Sequence, residues 1–304
     1  MRRLPGARSY TGPVMLRMSV VTAMLVLITS CDRAGKNGPG AQTSGGGGEP
    51  PANGETEVSC QSWHREPIPG TQNVLVNNTW NEQYAMGEPW AQCLLRRETA
   101  AGPQYGWRWD WPPYKPYQSY AAPEALFGWK AWDGGASTTP DLPKRIDAIA
   151  GLNLDFAVAV VADDTHNLNA TMWLTRSDVA SVERNPSDIT AEIMVWFHNP
   201  AGLGGGNTSN GSVTLGDVTF DVSHIVNHGD GSGNSPNTWT MITYISQTSM
   251  LAGNFDLALV LQDSVAKGLV EPEHAVGGVE LITEIFGGSG SLWLERFDVS
   301  VVPQ

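Results

Sequence analysis

From residue 60 to the C terminus, apolar residues recur at every second position in short runs, broken by clusters of Gly, Pro, Asn and Asp. Such alternation marks strands with one face on a core. It predicts strands over 73–80, 154–162, 170–175, 191–197, 212–222, 238–246, 279–286 and 291–302. One segment departs from the rule. From Phe255 to Lys267 the apolar residues fall at helical spacing, after Asn254 as a candidate N-cap and before Gly268 as a stop signal. The expectation is an all-β sandwich carrying one helix. No internal repeat or second linker divides residues 60–304, so they are predicted to form a single domain.

The N-terminal part reads differently. Arg17 precedes an uncharged apolar run from Met18 to Ser30, too short for a permanent membrane span and the right length for a signal-peptide core. Residues 1–30 are therefore read as a signal, with Met15 as an alternative start. The run Ile28-Thr29-Ser30-Cys31 resembles a bacterial lipobox, which implies a diacylglycerol on the Cys31 thiol and an exported, lipid-anchored protein. Residues 31–59, with consecutive glycines at 45–48 and almost nothing apolar to bury, are predicted to be a flexible tether. Cys60 and Cys93 are then an even pair in an oxidising compartment, where a disulfide is expected.

Composition narrows the functional classes. Only 16% of the 304 residues are charged and 41% are hydrophobic, which excludes a disordered acidic protein and a coiled coil. The net charge of −13 becomes about −17 without the four arginines of residues 1–30, so neither nucleic acid nor an anionic bilayer surface is an expected partner. Twelve tryptophans are more than such a core usually needs, and flat indoles suit the apolar faces of pyranose rings. In GWRWDWP, Trp107, Trp109 and Trp111 alternate and share one strand face, a candidate ligand platform. The six histidines lack paired metal-ligand spacing, and the chain holds no Ser/His/Asp elbow and no phosphate loop. HGDGSGN at 228–234 has no acid at the twelfth loop position that calcium chemistry wants and reads as a glycine-rich turn. No metal or cofactor is expected, and the chain is expected to act as a monomer.

Two strands carry acids in unusual company. In AEIMVWF, Ile193, Val195 and Phe197 suit a core, while Glu192, Met194 and Trp196 share the opposite face. In VELITEIFGG, Glu280, Ile282, Glu284 and Phe286 lie together in the same way. A carboxylate among Met, Trp and Phe is poorly hydrated unless it faces a groove, so both strands point to a concave, aromatic-lined surface.

The segments VNNTW (76–80), AQC (91–93), LPKRI (142–146), AEIMVWF (191–197), GLVEPE (268–273) and ELITEIFGGSGSLWLERFDVSV (280–301) resemble, in order, the landmarks of glycoside hydrolase family 12. The resemblance spans roughly residues 60–302. It implies a jelly roll of two antiparallel sheets, a concave cleft for an extended β-glucan, and cofactor-free cleavage of internal β-1,4 bonds with retention. Glu192 would be the nucleophile and Glu284 the acid/base, with carboxyls about 5–5.5 Å apart. Glu280 is the second choice of acid. Trp80 would stack on sugars with Asn78 positioning its strand; Met194 and Trp196 would line the floor, Phe286 would flank Glu284, and Cys60 with Cys93 would match the family disulfide. One departure stands out. Where the family reads roughly N-A-A-Y-D, with an aspartate bonded to the nucleophile, this chain has Asn169-Ala170-Thr171-Met172-Trp173. Trp173 falls at the aspartate position in this register; the alternatives are a shifted register, replacement by another acid such as Asp110 or Asp155, or an altered site. The stretch 109–135 reads as an insertion able to reshape the cleft. The implied activity is an endo-β-1,4-glucanase or xyloglucanase. The alternatives are a non-catalytic glycan-binding lipoprotein and a transglycosylase using the same site.

Overall fold

The structure, a computed structural model, describes residues 54–114, 118–163, 165–229 and 237–304. The predicted signal, Cys31, most of the tether and residues 230–236, which include most of the glycine-rich turn at 228–234, lie outside the described residues. In chain order the strands are β1 (Glu55–Ser59), β2 (Arg65–Pro67), β3 (Asn73–Val76), β4 (Ala91–Thr99), β5 (Gly102–Trp111), β6 (Glu124–Gly128), β7 (Lys144–Arg145), β8 (Ile149–Ala162) and β9 (His166–Thr175). They continue as β10 (Ile189–His198), β11 (Thr208–Leu215), β12 (Val218–His228), β13 (Trp239–Ser246), β14 (Ala252–Asp256), the helix α1 (Ala258–Ala266), β15 (Ala275–Val276), β16 (Gly278–Ile285) and β17 (Gly288–Pro303).

These strands form two sheets. The smaller runs β1-β4-β5-β17-β8-β14, and the larger runs β11-β12-β13-β10-β9-β16-β6-β3-β2, with β15 and β7 attached beside β9. The pairings are antiparallel except that β10 and β13 run parallel, so the expectation of two wholly antiparallel sheets is corrected at that one pair. The sheets pack face to face through alternate side chains: Leu168, Ala170, Met172 and Leu174 of β9 and Ala191, Ile193, Val195 and Phe197 of β10 meet residues of the smaller sheet. The all-β sandwich expected from the alternation is the architecture found.

Trp107, Trp109 and Trp111 do share a face of β5, but that face is the core. Trp107 is fully buried and donates from Nε1 to Thr283 Oγ1 at 3.2 Å. Trp111 stacks between Trp90 and Tyr120 and donates to Gln92 Oε1 at 3.0 Å. The platform reading of Trp109 and Trp111 is therefore corrected: alternation fixes that three side chains point the same way, not which side of the sheet they point to. The stretch 109–135 is framework rather than insertion, since it holds β6 and the buried Tyr120, Ala125 and Phe127.

Three element boundaries also move. The run 212–222 is a hairpin, not one strand, because Gly216 takes a left-handed φ of 58° and turns β11 into β12. Asn254 and Phe255 belong to β14, and the helix starts at Ala258, three residues later than the predicted Phe255, with Asp256 Oδ1 accepting from Ala258 N at 3.0 Å. Its end follows the sequence: Gly268 adopts φ 67°, Gly268 N donates to Val265 O and Leu269 N donates to Ser264 O, closing a Schellman cap. Finally, Glu55–Ser59, within the segment predicted as tether, pairs with β4. Its backbone groups gain sheet partners although its side chains bury little.

Cys60 and Cys93 form the expected disulfide, closing a sequence separation of 33 residues. Loop closure over that span restrains the unfolded chain by about 3–4 kcal/mol. A Cys60→Ser/Cys93→Ser double variant is expected to lose about that much in a urea titration, with the midpoint falling and the slope rising.

Candidate active site

β9 runs through the middle of the larger sheet, with β10 on one side and β16 on the other. The face turned away from the core carries Asn167, Asn169, Thr171 and Trp173 from β9, Glu192, Met194 and Trp196 from β10, and Glu280, Ile282 and Glu284 from β16. In register, Trp173 lies opposite Glu192, Thr171 lies between Met194 and Glu280, Asn169 lies between Trp196 and Ile282, and Asn167 lies opposite Glu284. No second sheet covers this face. Even so, Asn169, Thr171, Met194, Trp196 and Glu280 are all buried, so the surface is hollowed between large flanking side chains.

The two carboxyls sit in that hollow on strands flanking β9. Glu192 Oε2 accepts from Trp239 Nε1 at 3.1 Å. Burial pushes its pKa up to about 7, with the Glu284 charge adding to the rise and the Trp239 hydrogen bond and the Lys130 charge opposing it. Glu284 Oε2 accepts from Asn167 Nδ2 at 2.8 Å, and burial pushes this acid up to about 7 as well, against hydrogen bonds from Asn167 and Ser119. Two acids that repel one another and titrate near neutrality favour a state with one proton between them. One group can then attack while the other donates.

Glu280 is committed elsewhere. Lys130 Nζ donates to Glu124 Oε1 and Oε2 at 2.9 and 2.8 Å and to Glu280 Oε2 at 3.0 Å, with all three residues at most 5% exposed. Asn78 Nδ2 adds a contact to Glu124 Oε2 at 3.3 Å. Burial, opposed by the Lys130 charge, carries Glu280 up to about 8 and raises Glu124 too. Along β9, Glu280 lies at the level of Thr171, closer in register to Glu192 than Glu284 is. Its carboxyl is nonetheless held by Lys130, and the acid whose charge raises Glu192 is Glu284.

The other predicted residues divide by position. Trp80 is exposed, and its backbone N–H donates to Asn78 Oδ1 at 3.1 Å, so Asn78 ties that indole's turn to the Glu124–Lys130 cluster. Met194 and Trp196 line the hollow beside Glu192, and the buried Phe286 follows β16 two residues after Glu284. Asp110 and Asp155 lie on β5 and β8 of the smaller sheet, the latter paired with Arg296 at 2.7 Å. Neither can replace the aspartate. Trp173 lies opposite Glu192 and packs edge-on with Trp132 and Trp239 at centroid distances of 5.6 and 5.5 Å.

Sequence reasoning missed Lys130, Glu124, Asn167, Ser119, Trp132 and Trp239 as parts of this site. A signal existed for Asn167, because Asn167, Asn169 and Thr171 alternate with Leu168, Ala170 and Met172. It also missed Trp63, exposed and left-handed at φ 63°. The next residue back, Ser62, and the one before Trp80, Thr79, both donate to Glu82 Oε2 at 2.8 Å, which ties the two exposed indoles' segments together.

The buried acids set a pH dependence of stability. Glu192, Glu280 and Glu284 rise from 4.5 to about 7, 8 and 7 on folding. The fold therefore holds protons that the unfolded chain has released, and the stability from these groups is full below about pH 4.5 and lost as pH rises through about 8. Calorimetry is expected to show the unfolding midpoint falling from pH 5 to pH 8, with a shallower fall in Glu284→Gln.

No family model matches the chain. It is 24% identical over 229 residues, 75% of its own length and 81% of the relative's, to endoglucanase S of Pectobacterium parmentieri. Among solved structures, a native family 12 xyloglucanase from Bacillus licheniformis superposes with a TM-score of 0.67 at 22% identity, covering 80% of this chain and 99% of that one. Endoglucanase cel12A from Rhodothermus marinus superposes at 0.64 with 21% identity, covering 82% and 99%. The fold is the family 12 jelly roll. On that fold, the hollow carrying Glu192 and Glu284 is the outer face of the larger sheet, and the chain spans nearly the full length of each solved structure.

Proposed function

We propose that this protein is a member of glycoside hydrolase family 12 and cleaves internal β-1,4 linkages of a β-glucan with retention. The observation that carries the reading is the pair of buried carboxyls, Glu192 and Glu284, sharing the hollow on either side of β9 and each feeling burial strongly enough to titrate near 7. In the proposed reaction the Glu192 carboxylate attacks the anomeric carbon while Glu284 protonates the departing glycosidic oxygen, giving a glycosyl ester on Glu192. Glu284, now ionised, takes a proton from water as that water attacks the same carbon, releasing the sugar with its original configuration. The exposed Trp80 stacks on a sugar ring in this scheme, with Met194 and Trp196 beneath the reacting unit. Export and a lipid anchor at Cys31 belong to the same proposal and rest on the leader sequence.

The likeness in sequence to endoglucanase S and in fold to xyloglucanase and endoglucanase structures supports an endo-acting glucanase. A second reading, capture of glycan without turnover, has Trp173 opposite Glu192 in its favour. Reducing-sugar release from xyloglucan, barley mixed-linkage glucan and carboxymethylcellulose separates the two, with proton NMR of the first products. Hydrolysis yielding the β-anomer first is the expected result. Binding in affinity gels without release on any polymer would make the protein a glycan-capture module instead.

A further inference from the structure

Beside Glu192 stands a cluster of three indoles, of which Trp239 bonds its carboxyl and Trp173 lies opposite it on β9. Trp132, Trp173 and Trp239 meet edge to face in all three pairings, with centroids 5.3–5.6 Å apart. Among the described residues the buried Nε1 atoms of Trp132 and Trp173 have no hydrogen-bond partner, whereas Trp239 directs its Nε1 to Glu192 Oε2 at 3.1 Å. Trp239 is itself fixed: it is buried, packs with Trp129, Ala131 and Ile189, and meets the edge of His228 at 5.3 Å. A donor so confined, aimed at a buried carboxylate, both orients that group and favours its charged form. The two apolar neighbours exclude water from the same side. Trp173, opposite Glu192 on β9, carries an indole that cannot accept a proton from the acid.

We infer that Trp239 is a positioning residue for Glu192, fixing its carboxylate through the indole N–H while Trp132 and Trp173 form the dry backing that makes this single bond count. The inference rests on the proposed nucleophilic role of Glu192. Among the described residues the charged groups that act on Glu192 are Glu284 and Lys130. Glu284 on β16 disfavours its charge, and Lys130, engaged with Glu124, Glu280 and the field of Asp133, favours it. His228 lies against Trp239, and Arg184 sits over Trp132 at 5.4 Å.

The test replaces Trp239 with benzothienylalanine, which keeps the bicyclic shape and puts sulfur where the N–H was; Trp239→Phe is the second variant. Carbon-13 NMR follows the Glu192 carboxyl, its signal assigned by its loss in Glu192→Gln. Removing the donor is expected to raise the midpoint of that titration by about one pH unit, a tenfold change in ionisation equilibrium. With 2,4-dinitrophenyl β-cellobioside, whose leaving group needs no proton, the acidic limb of kcat/KM moves up by the same amount while KM holds. An unmoved Glu192 midpoint in a folded benzothienylalanine variant overturns the inference and leaves the nucleophile reading standing. Full activity in Glu192→Gln removes the nucleophile reading, and the inference with it, even if the midpoint moves.

Discussion

Glutamine at Glu192 or at Glu284 is expected to lower β-glucan hydrolysis by about 10⁴-fold or more, because each change removes a group that the proposed reaction uses in both covalent steps. The losses should differ in kind. Without Glu192 no glycosyl ester forms, and even substrates with excellent leaving groups fail. Without Glu284 the first step on an activated aryl glycoside survives, since a dinitrophenolate departs unprotonated, and the intermediate accumulates because no base activates water. Azide tells the same two roles apart by stereochemistry. It should yield a β-glycosyl azide with Glu284→Ala, by attack on the ester, and an α-glycosyl azide with Glu192→Gly, by direct displacement in the emptied space. Glu280→Gln serves as the contrast, because its carboxyl is held by Lys130 at 3.0 Å. A loss on Glu280→Gln that matched Glu284→Gln in both leaving-group dependence and azide product would transfer the acid role to Glu280.

The second large effect is on stability. Lys130 is a buried cation whose donors reach both oxygens of Glu124 and one of Glu280. Its pKa is raised by those two acids and by Asp133 against the cost of burial. Burial raises both Glu124 and Glu280, which favours one proton held between the two acids, so that the cluster with its single cation is close to electroneutral. Lys130→Met breaks this balance, leaving Glu124 buried with the Asn78 amide as its remaining side-chain partner. Breaking a buried ion pair from one side typically costs about 3–5 kcal/mol, which should appear as a drop in the urea midpoint. Replacing the whole cluster with Lys130→Met, Glu124→Leu and Glu280→Leu should recover most of that loss, since no charge is then stranded. Failure of the triple variant to recover would mean that Lys130 acts chiefly through packing of the 129–135 loop.

Much of the fold was legible. Period-two alternation placed β3, β9, β10, β13 and β16 of the larger sheet to within a few residues, because a half-buried strand imprints its two faces directly on the sequence, whereas β2 and β6 went unpredicted. The disulfide followed from compartment and cysteine parity. The hairpin of β11 and β12 was missed because its turn, Gly216-Asp217, interrupts the apolar run too briefly to be separated from a bulge. Asn254 was taken for an N-cap because a helix signal says nothing of a strand that pairs with β8 through the same residues.

For the site, the sequence determined which acids stand beside large apolar side chains on one strand face: Glu192 with Met194 and Trp196, and Glu280 and Glu284 with Ile282 and Phe286. Only the tertiary structure decided what each group meets. It turned the tryptophans of β5 inward because that strand belongs to the opposite sheet, it brought Trp239 to Glu192 across a chain separation of 47 residues, and it joined Lys130 to Glu280 across 150. Those encounters depend on sheet order and loop path, and alternation along one strand carries no information about either.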